Sequence, residues 1–198
     1  MTKYDFSRAV QILKSGGLII YPTDTLYALG ADIFNETAVK NVFDTKKRPC
    51  TVPLPVAVAT VSAMETITDM NDAAYALCER FLPGSLTLIL KKKPIVPQIV
   101  TSGRNTIAVR IPNNPVALQL LSKSGPLTAT SANRHHEKTL GVISDIRMQL
   151  QTPHLFGLDD GRLSGSPSTM IDLSISPPQV VRKGTISETA LFDVIAHG

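Results

Sequence analysis

The chain is predicted to fold as a single α/β domain, residues 1–198, around a mixed β-sheet flanked by helices. Three observations predict it. Short apolar runs of strand type alternate, along the whole length, with longer segments whose apolar residues recur at helical spacing. No repeat, low-complexity linker or shift in composition marks a second domain. And 198 residues with 43% hydrophobic and 18% charged side chains are enough for one sizeable core, within the ordinary globular range.

The elements follow in order. Phe6, Ala9, Val10 and Leu13 share one helical face, and Ser15-Gly16-Gly17 ends that helix. Residues 17–21 read as a buried strand that Pro22 stops, because proline lacks the backbone donor. Asn35 suits the N-cap of a helix with Ala38, Val39, Val42 and Phe43 on its apolar side. A strand entered through prolines spans 53–59, and a helix runs from Asp69 to Leu82, closed by Pro83-Gly84. Strand 86–90 then meets a turn at Lys91-Lys92-Lys93-Pro94, before a strand from Thr106 to Ile111. Asn113-Asn114-Pro115 caps a helix through Leu121, a short strand covers 127–130, and 139–150 reads as helix. Two closing strands, 169–173 and 179–182, precede a C-terminal helix opened by Ser187.

Charge and sulfur narrow the partners. Twenty Lys and Arg against 16 acidic residues give +4, a surplus suited to phosphate-bearing ligands from nucleotide to RNA. Lys91-Lys92-Lys93 is read as a solvated turn, with RNA contact as the alternative. Cys50 and Cys78 are the only cysteines and read as free thiols of a reducing compartment. A zinc site would want more sulfur at closer spacing. Residues 1–6 carry no apolar signal-peptide core, and no run approaches the roughly 20 apolar residues of a membrane span. A soluble, cytoplasmic protein is expected.

The stretch Tyr21-Pro22-Thr23-Asp24-Thr25 carries the strongest functional signal. In an α/β sheet, ligands bind beyond strand C-termini, so Thr23, Asp24 and Thr25 should stand at the mouth of a pocket. Lys46-Lys47-Arg48-Pro49 places cations at a predicted helix end, and Thr128-Ala129-Thr130-Ser131-Ala132-Asn133 repeats the strand-then-hydroxyl design. The same residues also suit plainer roles: a solvated helix C-terminus, a turn, a helix N-cap. Arg110 sits in an apolar strand with Val109 and Ile111 facing the other way, so its charge must be paired or functional. The standard phosphate loops and the Gly-x-Ser-x-Gly elbow are absent. His135 and His136, as neighbours, would point apart on a helix or strand, and Asp159-Asp160 fits a solvated turn better than a metal. What remains is hydroxyls, amides and fixed cations, a set for positioning and charge neutralisation.

Lys46-x-Arg48 and Ser131-x-Asn133, after Pro22-Thr23-Asp24-Thr25, resemble the YrdC family of threonylcarbamoyl-AMP synthases. The resemblance extends through Pro53-Leu54-Pro55-Val56, Leu82-Pro83-Gly84, Val109-Arg110-Ile111-Pro112, Pro167-Ser168-Thr169 and Val181-Arg182-Lys183-Gly184. It implies a twisted sheet with a large basic cavity, and the short form without the C-terminal domain of longer relatives. It also implies synthesis of threonylcarbamoyl-AMP and pyrophosphate from L-threonine, bicarbonate and ATP, for a downstream transferase that modifies tRNA. By resemblance, Lys46 and Arg48 are the catalytic cations on the phosphates. Thr106, Ser131, Asn133 and Arg182 join them around ATP, while Thr25, Arg110 and Ser168 hold threonine. Mg2+ would be held mainly by ATP phosphates.

The chain departs from the family pattern at Ala28, Val52, Ala57 and Ser85, and at Arg134-His135-His136-Glu137, where Ser-Gly is usual. Ala28 also resembles the YciO branch, which tends to lose the Lys-x-Arg and Ser-x-Asn residues kept here. Two other readings therefore stand beside the synthase: a non-catalytic tRNA or double-stranded RNA-binding protein, and a YciO-like nucleotide-binding relative.

Overall fold

Two sheets, where the sequence suggested one, organise the protein; its structure, a computed structural model, describes residues 4–197. The first half runs α1 (Phe6–Lys14), β1 (Ile19–Tyr21), β2 (Ala28–Gly30), α2 (Glu36–Lys46), β3 (Val56–Ala57), α3 (Val61–Glu65), β4 (Thr68–Asp69), α4 (Asp72–Phe81) and β5 (Leu86–Lys92). The second runs α5 (Gln98–Thr101), β6 (Thr106–Arg110), α6 (Pro115–Ser124), β7 (Leu127–Thr128), β8 (Thr130–Ser131), α7 (Ile143–Leu150), β9 (Phe156–Gly157), β10 (Thr169–Asp172), β11 (Gln179–Arg182) and α8 (Glu188–His197). The small sheet has the order β8-β2-β1-β9, and the large one β11-β10-β5-β6-β3-β7, with β4 also paired to β5. Both are mixed: β1–β9, β10–β5 and β3–β6 are parallel, the other pairs antiparallel.

The expected strand 127–130 is the place where the chain passes from one sheet to the other. Leu127 and Thr128 pair with β3, whereas Thr130 and Ser131 pair with β2. Between them, Ala129 N–H turns to Pro55 O at 2.7 Å. An apolar run looks alike to one sheet or two, so the sequence carries no sign of this switch.

Side-chain alternation divides the interior in two. In β1, Ile20 joins the larger core, which includes Leu29, Val39, Phe43, Leu88 and Val109. Ile19 and Tyr21 join the smaller one, with Phe6, Leu13, Val116 and Leu120 of α1 and α6. The caps expected at Asn35 and Asn114 are made, each side-chain oxygen accepting from backbone N–H of the first turn. The helix expected from Asp69 starts at Asp72 behind an Asn71 cap, because Asp69 is held in β4 opposite Lys91. Lys91 and Lys92 are strand residues, not a turn. The helix expected over 139–150 is confined to 143–150. Among the described residues no helix is long and apolar enough to cross a membrane.

Candidate active site

The same alternation builds the floor of a cavity of about 520 Å³. Along β5, Leu86, Leu88 and Leu90 enter the core, so Thr87 and Ile89 face the other side and line the cavity. In β6, Ile107 and Val109 go inward while Thr106, Ala108 and Arg110 line it. In β10, Met170 and Asp172 do so. Register brings these rows together, with Thr87 beside Met170 and Ile89 beside both Ala108 and Asp172. Four arginines, Arg48, Arg104, Arg110 and Arg182, line the space against one carboxylate, Asp172. The expected basic cavity is present.

One end is built on the turn after β1. The Thr23 hydroxyl donates to Leu26 O at 2.6 Å and accepts from the Thr25 and Leu26 N–H groups, folding residues 23–26 tightly. Thr25 Oγ1 then meets Arg110 Nη1 at 3.1 Å. Arg110 Nη2 donates to Asp24 Oδ1 at 2.6 Å and to Gly84 O at 2.8 Å. Asp24 also accepts from Ser85 Oγ at 2.8 Å and Asn113 N–H at 3.1 Å, so the departure to Ser85 supplies a donor that proline lacks. Arg110 is 6% exposed, and its Nε is buried with no partner. Nearby, Arg182 donates from Nε to Ser168 O and from Nη2 to Ser168 Oγ, whose hydroxyl also meets Thr87 at 2.7 Å. Burial, then the Arg110 charge, push the Arg182 guanidinium down from its ordinary value. The loop before β10 closes over Thr25: a Cβ on Gly165 would stand 2.2 Å from Thr25 O.

The other end is assembled from α2 and the 131–136 segment. Lys46 is 1% exposed, and its Nζ donates to Ser131 O, to Asn133 O at 2.5 Å and to Asn133 Oδ1 at 3.3 Å. Burial first, then the Arg48 charge, push this ammonium down to about 7. The three carbonyl-type acceptors around Nζ nonetheless match the three donors of an ammonium. After α2, Lys47 takes a left-handed conformation with φ 52° and turns the chain. Arg48 is held by Val52 O at 3.1 Å and Pro53 O at 2.8 Å, and burial lowers its pKa. Ser131 Oγ donates to Asn133 Oδ1 at 2.6 Å. His135 N–H donates to Lys46 O at 2.8 Å, tying the two segments into one wall.

Thr25, Arg48, Thr106, Arg110, Ser131, Ser168 and Arg182 thus all line one cavity. Lys46 and Asn133 stand behind its wall, joined to each other and to Ser131. Thr87 and Asp172 escaped the sequence reading, although each alternates with core residues in an expected strand; Arg104, in a loop, carries no such signal. Tyr27 lines the cavity too, and its hydroxyl donates to Gly161 O at 2.7 Å; burial first pushes its pKa up to about 12. Ala28 lines the cavity, while Ala57 is fully buried in the smaller core. Contrary to expectation, His135 and His136 face each other, ring centroids 3.8 Å apart, since they lie in a turn with His136 at φ 64°. Asp159 and Asp160 serve the adjoining loops, accepting from Gly161 N–H and from Asn114 Nδ2. Cys50 is exposed, Cys78 buried, and both are free thiols. Among the described residues no group of three or more His, Cys, Asp or Glu could hold a metal ion.

Residues 11–184 match the protein family described as Telomere recombination, which groups Sua5, YciO and YrdC proteins. The chain is 36% identical over 203 residues to the threonylcarbamoyl-AMP synthase of Pyrococcus abyssi (strain GE5 / Orsay), a match covering 96% of this chain and 56% of that protein. It therefore spans little more than half the length of that relative. The crystal structure of P. abyssi Sua5 complexed with L-threonine is similar at TM-score 0.93 and 33% identity, over 98% of this chain and 58% of the other. The crystal structure of E. coli YciO is similar at TM-score 0.85 and 31% identity, over 94% and 92% of the two chains. With a family match across most of its length and relatives above 30% identity, the chain belongs to the Sua5/YciO/YrdC family.

Proposed function

We propose that the cavity forms threonylcarbamoyl-AMP from L-threonine, bicarbonate and ATP in the cytoplasm, for a separate transferase acting on tRNA. The observation that carries the reading is Arg110 on the cavity lining, its Nη1 on the Thr25 hydroxyl and its Nε buried without a partner. A buried donor without an acceptor costs free energy, on the order of 1–3 kcal/mol, that a ligand carboxylate would remove. That of L-threonine fits, and the similar P. abyssi Sua5 structure is complexed with this amino acid.

Threonine amine and bicarbonate condense to a carbamate with loss of water. A carbamate oxygen then attacks the α-phosphorus of ATP, the bond to the bridging oxygen breaks, and pyrophosphate leaves. Such a transfer depends on alignment and on neutralising charge, which the cations of the Lys46–Arg48 wall and Arg182 supply. Arg48 lines the cavity and keeps Nη1 clear of the Val52 and Pro53 carbonyls, while Lys46 acts from behind the wall, bracing Ser131 and Asn133. Ser131 would orient the nucleotide, held in place by Asn133 behind it, with Thr106 on the floor between the two ends. Mg2+ would neutralise phosphate charge; among the described residues Asp172 is the one carboxylate lining the cavity, so the phosphates and water would supply most of the ion's ligands.

Incubation with ATP, magnesium, bicarbonate and labelled threonine tests the reading. Pyrophosphate release that requires threonine is the expected result. ATP binding without preference for threonine over serine or valine would favour a YciO-like activity, a reading supported by the close match to E. coli YciO over nearly all of both chains. Salt-sensitive tRNA binding with no pyrophosphate release would favour an RNA-binding role.

A further inference from the structure

The histidine pair has no part in the chemistry above, yet it stands against the phosphate end. Arg48 Nε and Nη2 are committed to Val52 O and Pro53 O, and Nη1 is turned toward His135 Nδ1, a long contact at 3.5 Å. The His135 backbone is anchored to Lys46 O, and its ring lies against that of His136. An imidazole nitrogen facing a guanidinium is an acceptor, so His135 is neutral in this arrangement. The groups whose charge acts on it are the basic side chains of His136, Arg48 and Lys46. The helix behind the turn presents a neutral group, Gln149, whose Oε1 accepts from Arg134 N–H at 3.3 Å. Residues 46, 48 and 135 thus gather three nitrogen-bearing side chains at this wall, and among the described residues no carboxylate pairs with any of them.

We propose that His135 is a further phosphate-binding residue of this site, which takes up a proton when a polyphosphate binds beside Arg48. The anion cancels the repulsion among the cations, the imidazole becomes a donor, and one more charge-assisted hydrogen bond forms. Without ligand, partial desolvation and then the neighbouring cations hold His135 below its ordinary value. Its titration should therefore rise on binding, and polyphosphate affinity should rise as pH falls through that range. The inference rests on the reading of this end of the cavity as the ATP phosphate site.

The test follows the imidazole signals of the 15N-labelled full chain from pH 5 to 8.5, with and without inorganic pyrophosphate. His135 is assigned by signal loss in His135→Ser, or by elimination with His136→Ser, His154→Ser and His197→Ser should that variant misfold. Pyrophosphate is expected to raise the His135 midpoint by about one pH unit, which is a tenfold linkage between proton and anion. Correspondingly, wild type should bind pyrophosphate about tenfold tighter than His135→Ser at pH 5.5 and about equally at pH 8.5. Comparison with the variant cancels the titration of pyrophosphate and of Lys46. Pyrophosphate binding with an unmoved His135 midpoint would overturn the inference while leaving the phosphate site in place. Absence of pyrophosphate binding by wild type at every pH would overturn both.

Discussion

Replacing Asp24 by alanine should destabilise the protein by about 3–5 kcal/mol, because it strands a buried charge. Arg110 and Asp24 side chains are 7% and 13% exposed, and the pair is bonded at 2.6 Å. Without the carboxylate, Arg110 keeps only Gly84 O and the Thr25 hydroxyl, neither of them charged, while Ser85 Oγ and Asn113 N–H lose their acceptor. For a chain of this size each kcal/mol moves the melting temperature by about 2–4 °C, so a drop on the order of 10 °C is expected. Asp24→Asn keeps an oxygen for Ser85 or Asn113 but no charge, and should fall between. The double variant Asp24→Ala/Arg110→Met removes both charges and should lose less than the sum of the single changes. Urea unfolding followed by circular dichroism measures wild type, Asp24→Ala, Asp24→Asn, Arg110→Met and the double variant. A loss below about 1 kcal/mol in Asp24→Ala, or full additivity in the double variant, would refute the claim that this pair is buried and coupled.

Three further outcomes are expected. Arg48→Ala should cut threonine-dependent pyrophosphate release by about a hundredfold with the fold intact, whereas Lys46→Ala should lose activity and also about 1–3 kcal/mol of stability, since carbonyls lose their donor; rate assays and melting curves on both variants check this. The Lys46 ammonium is shifted from 10.5 down to about 7, so between those values the unfolded chain binds more protons than the folded one. Wild-type stability should therefore rise relative to Lys46→Met as pH increases from about 7 to about 10, in urea titrations, and parallel profiles would contradict the buried amine. Gly165→Ala should force the loop off Thr25 O, at a cost of about 1–3 kcal/mol. Calorimetry should then show weakened threonine binding, and unchanged affinity would show that this loop does not shape the amino-acid end.

Elements with a strong period or a clear cap were legible in the sequence. The apolar face of α2, its Asn35 cap and the Asn114 cap of α6 state a helix locally, and local energetics decide them. Two-residue strands such as β4 and β9 carry no period of their own; a neighbour's backbone holds them, as Lys91 and Lys92 hold Asp69 and Thr68. The sheet switch at Ala129 belongs to the same class, being settled by Pro55 rather than by Ala129. At the site, residue types marked Thr25 and Arg110 and the family resemblance marked Arg182, but partners lay beyond one-dimensional reading. Arg110 required a counter-charge, and nothing in the sequence named Asp24, 86 residues away, as that group. The histidine pair misled because its rule assumed a helix or strand, and the chain makes a turn there.

The proposed reaction requires one hollow that takes an amino-acid carboxylate at Arg110 and a triphosphate at the Arg48–Ser131 wall. A structure of the protein with L-threonine and a non-hydrolysable ATP analogue decides whether it does. It should show the carboxylate within about 3 Å of Arg110 Nε and the phosphates against Arg48 and Ser131. Nucleotide and amino acid bound on separate surfaces, or Arg110 Nε still without a partner, would contradict it.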